Sequence, residues 1–378
     1  MLKTLLAGTG IGAEMYAPII KAHPLLDPAC VISRDIQRAK AVKKEFGFKS
    51  YSDDWLSEID RKDIDAVFIC TPTYTHFEIA KSAILAGKHV FLAPPMTIDS
   101  SEAEELTTLA EQHNVCAVVD HQRTYQPARK YVQQLIADNY VGKLQQIERI
   151  YRNKTHISHQ VDHLWKWKTS SGGGVMGLQL IQDVDFLLRV AGGMHTIDAK
   201  TISRVVERFL PDGSAIDFDA EDSFDAHISF HNGISAQIQA NFATPGRAVD
   251  EFIFYGSKGV LILSNETDII GFSYKPDSKR DRLAIPPGFQ IHSVPGSISF
   301  TSSYYMADLF TAAIFHESAI SPTFDEALHV QRVIDAAKQS ADLNHAVEIG
   351  TPPERQTSSP LYSDPKEKKR SFVTKIYE

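Results

Sequence analysis

Apolar and polar residues follow two different patterns along the chain, and the first pattern fills the N-terminal third. Short apolar runs have the length of buried strands, and the segments between them space their apolar residues along one helical face. The runs lie at residues 2–7, 29–33, 65–70, 89–92 and 115–119, and the helical segments at 12–22, 35–46, 74–86 and 100–113. This alternation predicts right-handed βαβ units and a parallel sheet covered on both faces.

The pattern changes after this first third. Residues 127–138 and 175–190 predict helices, and residues 144–152 predict a strand. Alternating apolar residues on both sides of Asn232-Gly233 predict a β-hairpin with one buried face. A second hairpin is expected around residues 256–259, so the second part mixes helices with antiparallel strands.

The remaining chain is divided by the same reasoning. Two helices are expected to close the second part, the last of them opened by a capping box at residues 323–326. From residue 351 the chain is rich in Pro, Ser and Lys. We therefore expect one domain over residues 1–122, a second over 123–350 and a polar tail over 351–378.

Composition and charge narrow the class of protein. The 378 residues include 39 Lys and Arg against 47 Asp and Glu, a formal net charge of −8, so no nucleic-acid-binding face is expected. No apolar run approaches the ~18 residues of a membrane span, and the N-terminal patch lacks a signal peptide's long apolar core. We expect a cytoplasmic protein without membrane contact. Three widely spaced cysteines predict free thiols, with no disulfide and no metal site.

A glycine-rich turn joins the first predicted strand to the first predicted helix. Gly8, Gly10 and Ala13 occupy the small positions of a G-x-G-x-x-G/A fingerprint, with Ile11 and Gly12 between them. The first glycine allows the tight turn, the second lets a pyrophosphate approach the backbone, and the third position lets helix and strand pack closely. Because the helix N-terminus also presents free N–H groups, these five residues are predicted to bind a dinucleotide.

The end of the second strand predicts which dinucleotide is bound. An acidic residue there would bind the 2′-hydroxyl of NAD, but this chain has Ser33 and Arg34. A hydroxyl and a guanidinium suit the 2′-phosphate of NADP. Asp35 follows and is expected to cap the next helix. NADP is therefore the expected cofactor and NAD the alternative, while a solvated Arg34 on a surface loop is the competing interpretation of that residue.

Further motifs follow in a characteristic order. They are residues 65–72 followed by His76, Ala86-Gly87-Lys88-His89-Val90, Trp165-Lys166-Trp167, a triple glycine at 172–174, Phe230-His231-Asn232-Gly233 and Gly256-Ser257-Lys258-Gly259. Together with the glycine loop, this order resembles the Gfo/Idh/MocA family of dinucleotide-dependent oxidoreductases over nearly the whole chain, to about residue 350.

The resemblance implies an α/β fold with two domains. An N-terminal Rossmann domain with a parallel sheet is followed by a C-terminal α/β domain with a large open, mainly antiparallel sheet, and the nicotinamide lies between them. Thr71, Pro72, His76 and Pro94 lie at strand ends of the first domain and are expected to border the cofactor. The resemblance also implies a small-molecule substrate and a homo-oligomer.

The residues that carry the family's chemistry are replaced in this chain. Family members usually show Glu-Lys-Pro, with the lysine polarising the substrate oxygen, where this chain has Ala93-Pro94-Pro95. After the triple glycine they usually carry an Asp and, four residues on, a proton-moving His, where alignment places Leu178 and Gln182. Proline has no donor, and an amide is neither acid nor base near neutral pH. We therefore expect an atypical member with an altered active site.

Two interpretations follow from the altered site. One is an oxidoreductase similar to the biliverdin-reductase type, which also lacks that lysine and transfers hydride to or from a conjugated substrate with little acid catalysis. The other is a non-redox or regulatory dinucleotide-binding protein, similar to the fungal galactose repressor. The intact cofactor loop fits both, and detectable turnover would separate them.

Replacement chemistry is expected in a segment that usually faces the substrate in this family. His156, His159 and His163 are predicted to be catalytic because imidazole exchanges protons near pH 7, and the last two are spaced to share a helical face. Trp165 and Lys166 are predicted to contact the substrate. The competing interpretation is a polar surface loop, and a metal site is not expected here.

Three further residues are predicted to contact the substrate. His121 and Arg123 follow the last strand of the first domain, where the family brings residues to the cleft, and Gln182 lies on the facing helix. Arg123 would clamp a carboxylate or, in the alternative, form an interdomain salt bridge. Asp183 and Asp185 flank Gln182, and one of them is expected to pair with a nearby Arg because an unpaired buried carboxylate is costly.

Overall fold

The computed structural model describes residues 1–161, 164–274, 280–291 and 296–350 of the chain. Its first sheet is six-stranded and parallel, in the order β3-β2-β1-β4-β5-β6. The strands are β1 Leu2–Ala7, β2 Leu26–Ile32, β3 Ser50–Ser52, β4 Ala66–Ile69, β5 His89–Leu92 and β6 Ala117–Val119. The strands expected from the five apolar runs are confirmed, and β3 is added at one edge.

Helices connect these strands and cover the sheet. A π-helical turn, Gly12–Tyr16, leads into α1. The helices are α1 Ala17–Ala22, α2 Ile36–Phe46, α3 Trp55–Ile59, α4 His76–Leu85 and α5 Ser100–Gln112. The Asp35 carboxylate accepts hydrogen bonds from the backbone N–H groups of Gln37 and Arg38, so the expected cap of α2 is confirmed.

The second sheet has nine strands in the order β14-β13-β12-β11-β7-β10-β9-β8-β15. They are β7 Leu144–Arg152, β8 Met194–Ile202, β9 Ser223–Phe230, β10 Ser235–Asn241, β11 Val249–Gly256, β12 Gly259–Ser264, β13 Asp268–Ser273, β14 Asp281–Leu283 and β15 Val347–Glu348. Only β7 and β10 pair in parallel within this sheet as described. Both expected hairpins are confirmed, as β9–β10 and β11–β12.

Four longer helices belong to the second part of the chain. They are α6 Pro127–Ala137, α7 Ile181–Ala191, α8 Ile298–His316 and α9 Phe324–Leu343. A π-helical turn, Met176–Leu180, precedes α7. The capping box of α9 is confirmed, because Thr323 and Glu326 exchange side chain-to-backbone hydrogen bonds.

Helix α8 packs against the first sheet, which sequence reasoning did not foresee. Tyr304, Met306 and Phe310 lie in one apolar cluster with Phe68 of β4 and Phe91 of β5. The expectation that both C-terminal helices close the second part is therefore wrong for α8. The division at residue 122 stays a prediction, and the tail expected over residues 351–378 lies outside the described residues.

The second sheet carries helices on one face. Residues of α6, α7 and α9 share a large apolar cluster with the inward-facing strand residues. The other face shows two open cavities of about 380 and 360 Å³ lined mainly by polar strand residues. On that face Ile253, Ile262 and Ile270 stand side by side across β11, β12 and β13. We call these three half-buried residues the isoleucine row.

All three cysteines are free thiols, with Cys30 and Cys70 buried and Cys116 only partly so. Among the described residues, no helix combines the length and the apolar character that a membrane span needs.

Candidate active site

The glycine loop after β1 forms one end of the site. Gly8 has a φ of +107°, and a Cβ there would lie 2.8 Å from the Cys70 carbonyl oxygen. A Cβ on Gly12 would lie 2.6 Å from the Cys70 sulfur, whereas one on Gly10 would meet nothing within 4 Å. The loop is therefore packed tightly on β4 and open above Gly10, which fits the approach of a pyrophosphate to the backbone. Ile11 is exposed beside this opening.

The residues after β2 provide hydroxyls and a cation. The Ser33 hydroxyl lies 2.9 Å from the Thr9 hydroxyl and accepts a hydrogen bond from the Asp35 N–H. Asp35 uses its carboxylate to cap α2. Arg34 is exposed and has no ion pair with any described residue. The ribose end of the site therefore presents no acid free to bind a 2′-hydroxyl.

His76 joins the ends of two strands instead of presenting a free nitrogen. Only 1% of the residue is exposed. Nδ1 lies 2.9 Å from the Pro95 carbonyl oxygen, and Nε2 lies 2.8 Å from that of Thr71. Burial lowers its pKa, so the neutral ring donates to one of these carbonyls. His76 was expected to border the cofactor or, in the alternative, to begin a helix without contact; its buried side chain begins α4 and bonds the backbone after two strands, which favours the alternative.

One contact joins the second part of the chain to this edge, and a second one lies within the second part, directly after the first domain. Gly172, with φ +77°, approaches so closely that a Cβ there would lie 2.8 Å from the Thr73 methyl carbon. The Arg123 N–H donates to the Gln182 side-chain oxygen at 3.2 Å. Strand order places Pro94, at the end of β5, between these two contacts.

The π-helical turn Met176–Leu180 and the start of α7 expose one stripe of side chains. Leu178, Gln179 and Gln182 are partly exposed, while Met176, Leu180 and their neighbours are buried. The positions expected to replace the usual Asp and His therefore lie on the open side of this helix.

The segment with Trp165 and Lys166 rests on the triple glycine. The Gly174 N–H donates to the Lys166 carbonyl, and the Gly173 N–H donates to the Lys168 carbonyl, each at 3.0 Å. A Cβ on Gly173 would lie 2.5 Å from the Lys166 carbonyl oxygen. Because the same glycine turn contacts Thr73, the segment is held close to the cofactor edge.

His156 is packed as an aromatic residue. Its ring centroid lies 4.7 Å from that of Trp167, whose opposite contact is the Arg208 guanidinium at 3.5 Å, and 5.3 Å from that of Phe242. Burial and the positive charge of Arg208 lower the pKa of His156 to about 4. A ring that is neutral at pH 7 is a poor proton donor, so the structure does not favour His156 as the general acid.

The other two candidate histidines are His159 and His163. His159 is exposed, lies outside any helix, and places Nδ1 2.9 Å from the Glu207 carbonyl oxygen. The expected helical face is therefore wrong for His159. His163 lies outside the described residues.

His121 is corrected from a cleft residue to a buried one. It is fully buried, its Nδ1 lies 3.7 Å from the Asp185 carboxylate, and neither ring nitrogen has a hydrogen-bond partner among the described residues. Because the His121 side chain is buried, the structure does not support a direct contact between it and a substrate in the open cleft.

Asp183 and Asp185 fix the position of α7, which together with the π-helical turn before it we call the site helix because it carries Gln182. One of the two was expected to pair with an arginine, and both of them do. Arg129 and Arg149 donate to Asp183 at 2.8 and 2.7 Å, and Arg189 donates to Asp185 at 3.0 Å. Burial alone would raise the pKa of Asp183, but the two guanidinium groups lower it to about 2. The helix is therefore fixed by ionised carboxylates directed away from the cleft.

Two residues of the site were missed by sequence reasoning. The Asp120 carboxylate, at the end of β6, accepts hydrogen bonds from Tyr16 at 2.9 Å and Ser303 at 2.7 Å. Burial raises its pKa to about 6. With its side-chain amide oriented so that the oxygen faces the guanidinium, the assignment that satisfies both groups, Gln179 accepts hydrogen bonds from Arg123. The sequence offered one signal for each: Asp120 is a charged residue at the end of an apolar strand, and Gln179 is a second glutamine close to Gln182.

Within the described part of the chain, no group of three or more His, Cys, Asp or Glu side chains is arranged to hold a metal ion.

A parallel sheet with this glycine loop, facing a second sheet domain, defines a dinucleotide-binding oxidoreductase. Residues 2–121 match the oxidoreductase family with an NAD-binding Rossmann fold, and residues 130–262 match the GFO/IDH/MocA C-terminal domain. The chain belongs to the Gfo/Idh/MocA family of oxidoreductases.

Two curated relatives match along nearly their whole length. An uncharacterized oxidoreductase of Synechocystis sp. is 26% identical, over 92% of this chain and 96% of the relative. Levoglucosan dehydrogenase of Pseudarthrobacter phenanthrenivorans is 24% identical, over 91% and 97%. A solved structure of levoglucosan dehydrogenase with NADH and L-sorbose aligns with a TM-score of 0.85 at 22% identity, over 93% and 99%. The chain is an oxidoreductase with this fold, and the regulatory alternative is not favoured.

Proposed function

We propose that the protein transfers hydride between NADP(H) and a small, sugar-like or conjugated organic substrate at an altered active site. One contrast carries this proposal. The cofactor edge keeps its glycine loop, hydroxyls and cation, whereas Pro94, Leu178 and Gln182 bring neither acid nor base to the facing edge. NAD(H) is the alternative cofactor. Relatives named for levoglucosan and D-xylose support a sugar-like substrate.

The cofactor would be held by residues of the first domain. The N–H groups of the loop from Gly8 to Ala13 are placed for the pyrophosphate, with room above Gly10. Ser33 and Arg34 would bind a 2′-phosphate, which the exposed Arg34 guanidinium supports. Thr71, Pro72 and Pro94 border the nicotinamide end, where the bound dinucleotide gives or accepts the hydride.

The substrate would be held by the second domain. Trp165 and Lys166, on the triple-glycine turn, contact it from one side and Gln182 from the other. An apolar wall of Trp165 and Leu178 limits water, which strengthens the remaining hydrogen bonds. Where a proton must move, His159 and His163 are the proposed donors, because the low pKa of His156 makes it both a poor donor and a weak base.

We also propose a cytoplasmic homo-oligomer. The open face of the second sheet supports it, because the isoleucine row is an apolar strip without a covering element in the described structure.

The decisive experiment is mass spectrometry of the dinucleotide that copurifies, followed by hydride-transfer assays with sugars and conjugated carbonyls. Bound NADP(H) with turnover supports the proposal. A protein that binds neither NADP(H) nor NAD(H) contradicts it. Dinucleotide binding without turnover of any acceptor would favour a regulatory dinucleotide-binding protein instead.

A further inference from the structure

The interior arginines near the site are paired with carboxylates, and Arg123 is not. The pairs are Arg129 with Asp183 and Glu266, Arg149 with Asp183 and Asp250, Arg189 with Asp185, and Arg208 with Asp222. Arg123 instead directs its guanidinium to the neutral amide oxygen of Gln179. No carboxylate among the described residues forms an ion pair with it.

The carboxylates nearest to Arg123 are already occupied. One oxygen of Asp183 accepts from Arg129 and the other from Arg149. Asp185 accepts from Arg189 and from the Thr124 hydroxyl. The positive charge of Arg123 helps to lower the pKa of Asp183, although the two side chains form no ion pair. The N–H groups of Arg123 that Gln179 does not use are therefore available to a ligand.

Arg123 lies where a substrate would reach it. Its backbone N–H bonds Gln182, its side chain bonds Gln179, and all three residues are partly exposed. Gln179 and Gln182 belong to the exposed stripe of the site helix that also carries Leu178. The cation at this end of the cleft is thus a guanidinium bonded to one neutral amide, that of Gln179, while Gln182 bonds the Arg123 backbone.

We infer that the substrate is a sugar acid whose carboxylate is bound by Arg123, an inference that rests on the proposed function. A guanidinium presents two parallel N–H groups that match the two oxygens of a carboxylate, and a neutral sugar cannot use this fork fully. Gln179 is a positioning residue, because its oxygen bonds both terminal nitrogens of the guanidinium and so fixes its orientation, which leaves Nε–H and one further N–H of each terminal nitrogen for a ligand.

The test uses the full chain saturated with NADPH and three matched pairs of probes. They are D-glucuronate with D-glucose, D-galacturonate with D-galactose, and D-gluconate with D-sorbitol, each titrated by calorimetry against this complex and assayed separately for hydride transfer to NADP+. The acid of at least one pair is expected to bind about tenfold or more tightly than its neutral partner.

Variants assign this preference to the fork. Arg123→Gln is expected to remove the acid preference, by about 10- to 100-fold in acid affinity. Arg123→Lys, which keeps the charge without the fork, should recover only part of it, and Gln179→Leu should weaken acid binding while NADPH affinity stays unchanged. Arg332→Gln on α9, which removes a cation paired with Glu104, is the matched control and should retain the full preference.

Three outcomes would overturn the inference: no acid binds the NADPH complex, the neutral partner binds as well in every pair, or the preference survives in Arg123→Gln. Failure of the proposed function is separate, because it would show as a protein that binds no dinucleotide. In that case the same titrations on the free chain still decide the carboxylate question.

Discussion

Ser33, Arg34 and Asp35 are consecutive, yet the structure gives each a different environment. Ser33 meets Thr9 of the glycine loop, Arg34 extends into solvent, and Asp35 caps a helix. Only the middle residue is free to respond to a phosphate, which makes it the point where cofactor choice can be tested.

Replacing Arg34 with Ala should weaken NADPH selectively. The loss of one charged hydrogen bond to the 2′-phosphate is expected to cost about 1.5–3 kcal/mol of NADPH affinity and to leave NADH affinity unchanged. Fluorescence titration of both dinucleotides measures it, with Lys40→Ala on α2 as the control. Equal losses for the two dinucleotides, or none, would contradict the assignment.

Asp120 makes the stability of the fold depend on pH. Its pKa of about 6 in the folded protein exceeds the ~3.9 of an exposed Asp, so its ionisation opposes folding as the pH rises from ~4 through about 6. Asp120→Asn keeps an oxygen for Tyr16 and Ser303 and places its nitrogen where Oδ1 has no partner. The variant should be more stable than the parent near pH 8, with the difference shrinking toward pH 5.

Urea unfolding at several pH values measures this difference. Asp138→Asn, at the exposed end of α6, is the control and should show no such trend. A stability difference for Asp120→Asn that is constant with pH would show that the folded carboxylate does not titrate in this range.

The residues of the site could be predicted where their role is local. The glycine loop was identifiable because its backbone requirements lie within six residues, Gly8 to Ala13. His76 and His121 were placed wrongly because their burial depends on Pro95 and Asp185, which are distant in sequence. An aromatic packing role for His156 depends on Arg208 and could not be derived from the spacing of histidines.

At the scale of elements, the apolar pattern predicted most of what the structure contains. Strands of the first sheet are nearly continuous apolar runs because both faces are covered, and such runs are easy to recognise. Strand β8 was missed because polar residues fill most of its positions and only Met194, Ile197 and Ala199 are buried. The placement of α8 could not be predicted, because a helix pattern states that a face is buried and not what buries it.

Helix α8 should stabilise the dinucleotide-binding domain as much as the second domain, in which it lies along the chain. Phe310 is fully buried and meets the rings of Phe68 and Phe91 edge-on, with centroids 5.9 and 5.6 Å apart. Phe310→Ala is expected to lower the free energy of unfolding by about 3–5 kcal/mol. Phe315→Ala at the exposed end of the same helix is the control in denaturant unfolding, and equal effects of the two changes would contradict this packing.

At the scale of the whole molecule, one sheet is covered on both faces and the other on one. The isoleucine row crosses three strands of the open face, flanked in register by Glu148 and Arg282. An apolar strip with charges at both ends is typical of a surface that meets another subunit.

Ile262→Lys should therefore convert the proposed oligomer to a monomer, because a buried unpaired charge at the centre of the strip opposes association. Light scattering coupled to size-exclusion chromatography measures the change. Leu85→Lys, at an exposed position on α4, should leave the mass unchanged. If the parent is already monomeric, the proposed oligomer is wrong.

The contact between Gly172 and Thr73 has a consequence for engineering. Because a single added methyl carbon would lie 2.8 Å from the Thr73 side chain, a larger residue at 172 should push the glycine turn and the Thr73 segment away from each other. Glycine at position 172, which has no side chain, therefore sets how closely the glycine turn approaches Thr73 and, with it, the width of the cleft. Libraries that aim at new substrates can therefore vary Leu178 and Gln182 and keep Gln179, which positions Arg123, whereas diversity at position 172 would change the size of the opening for every variant at once.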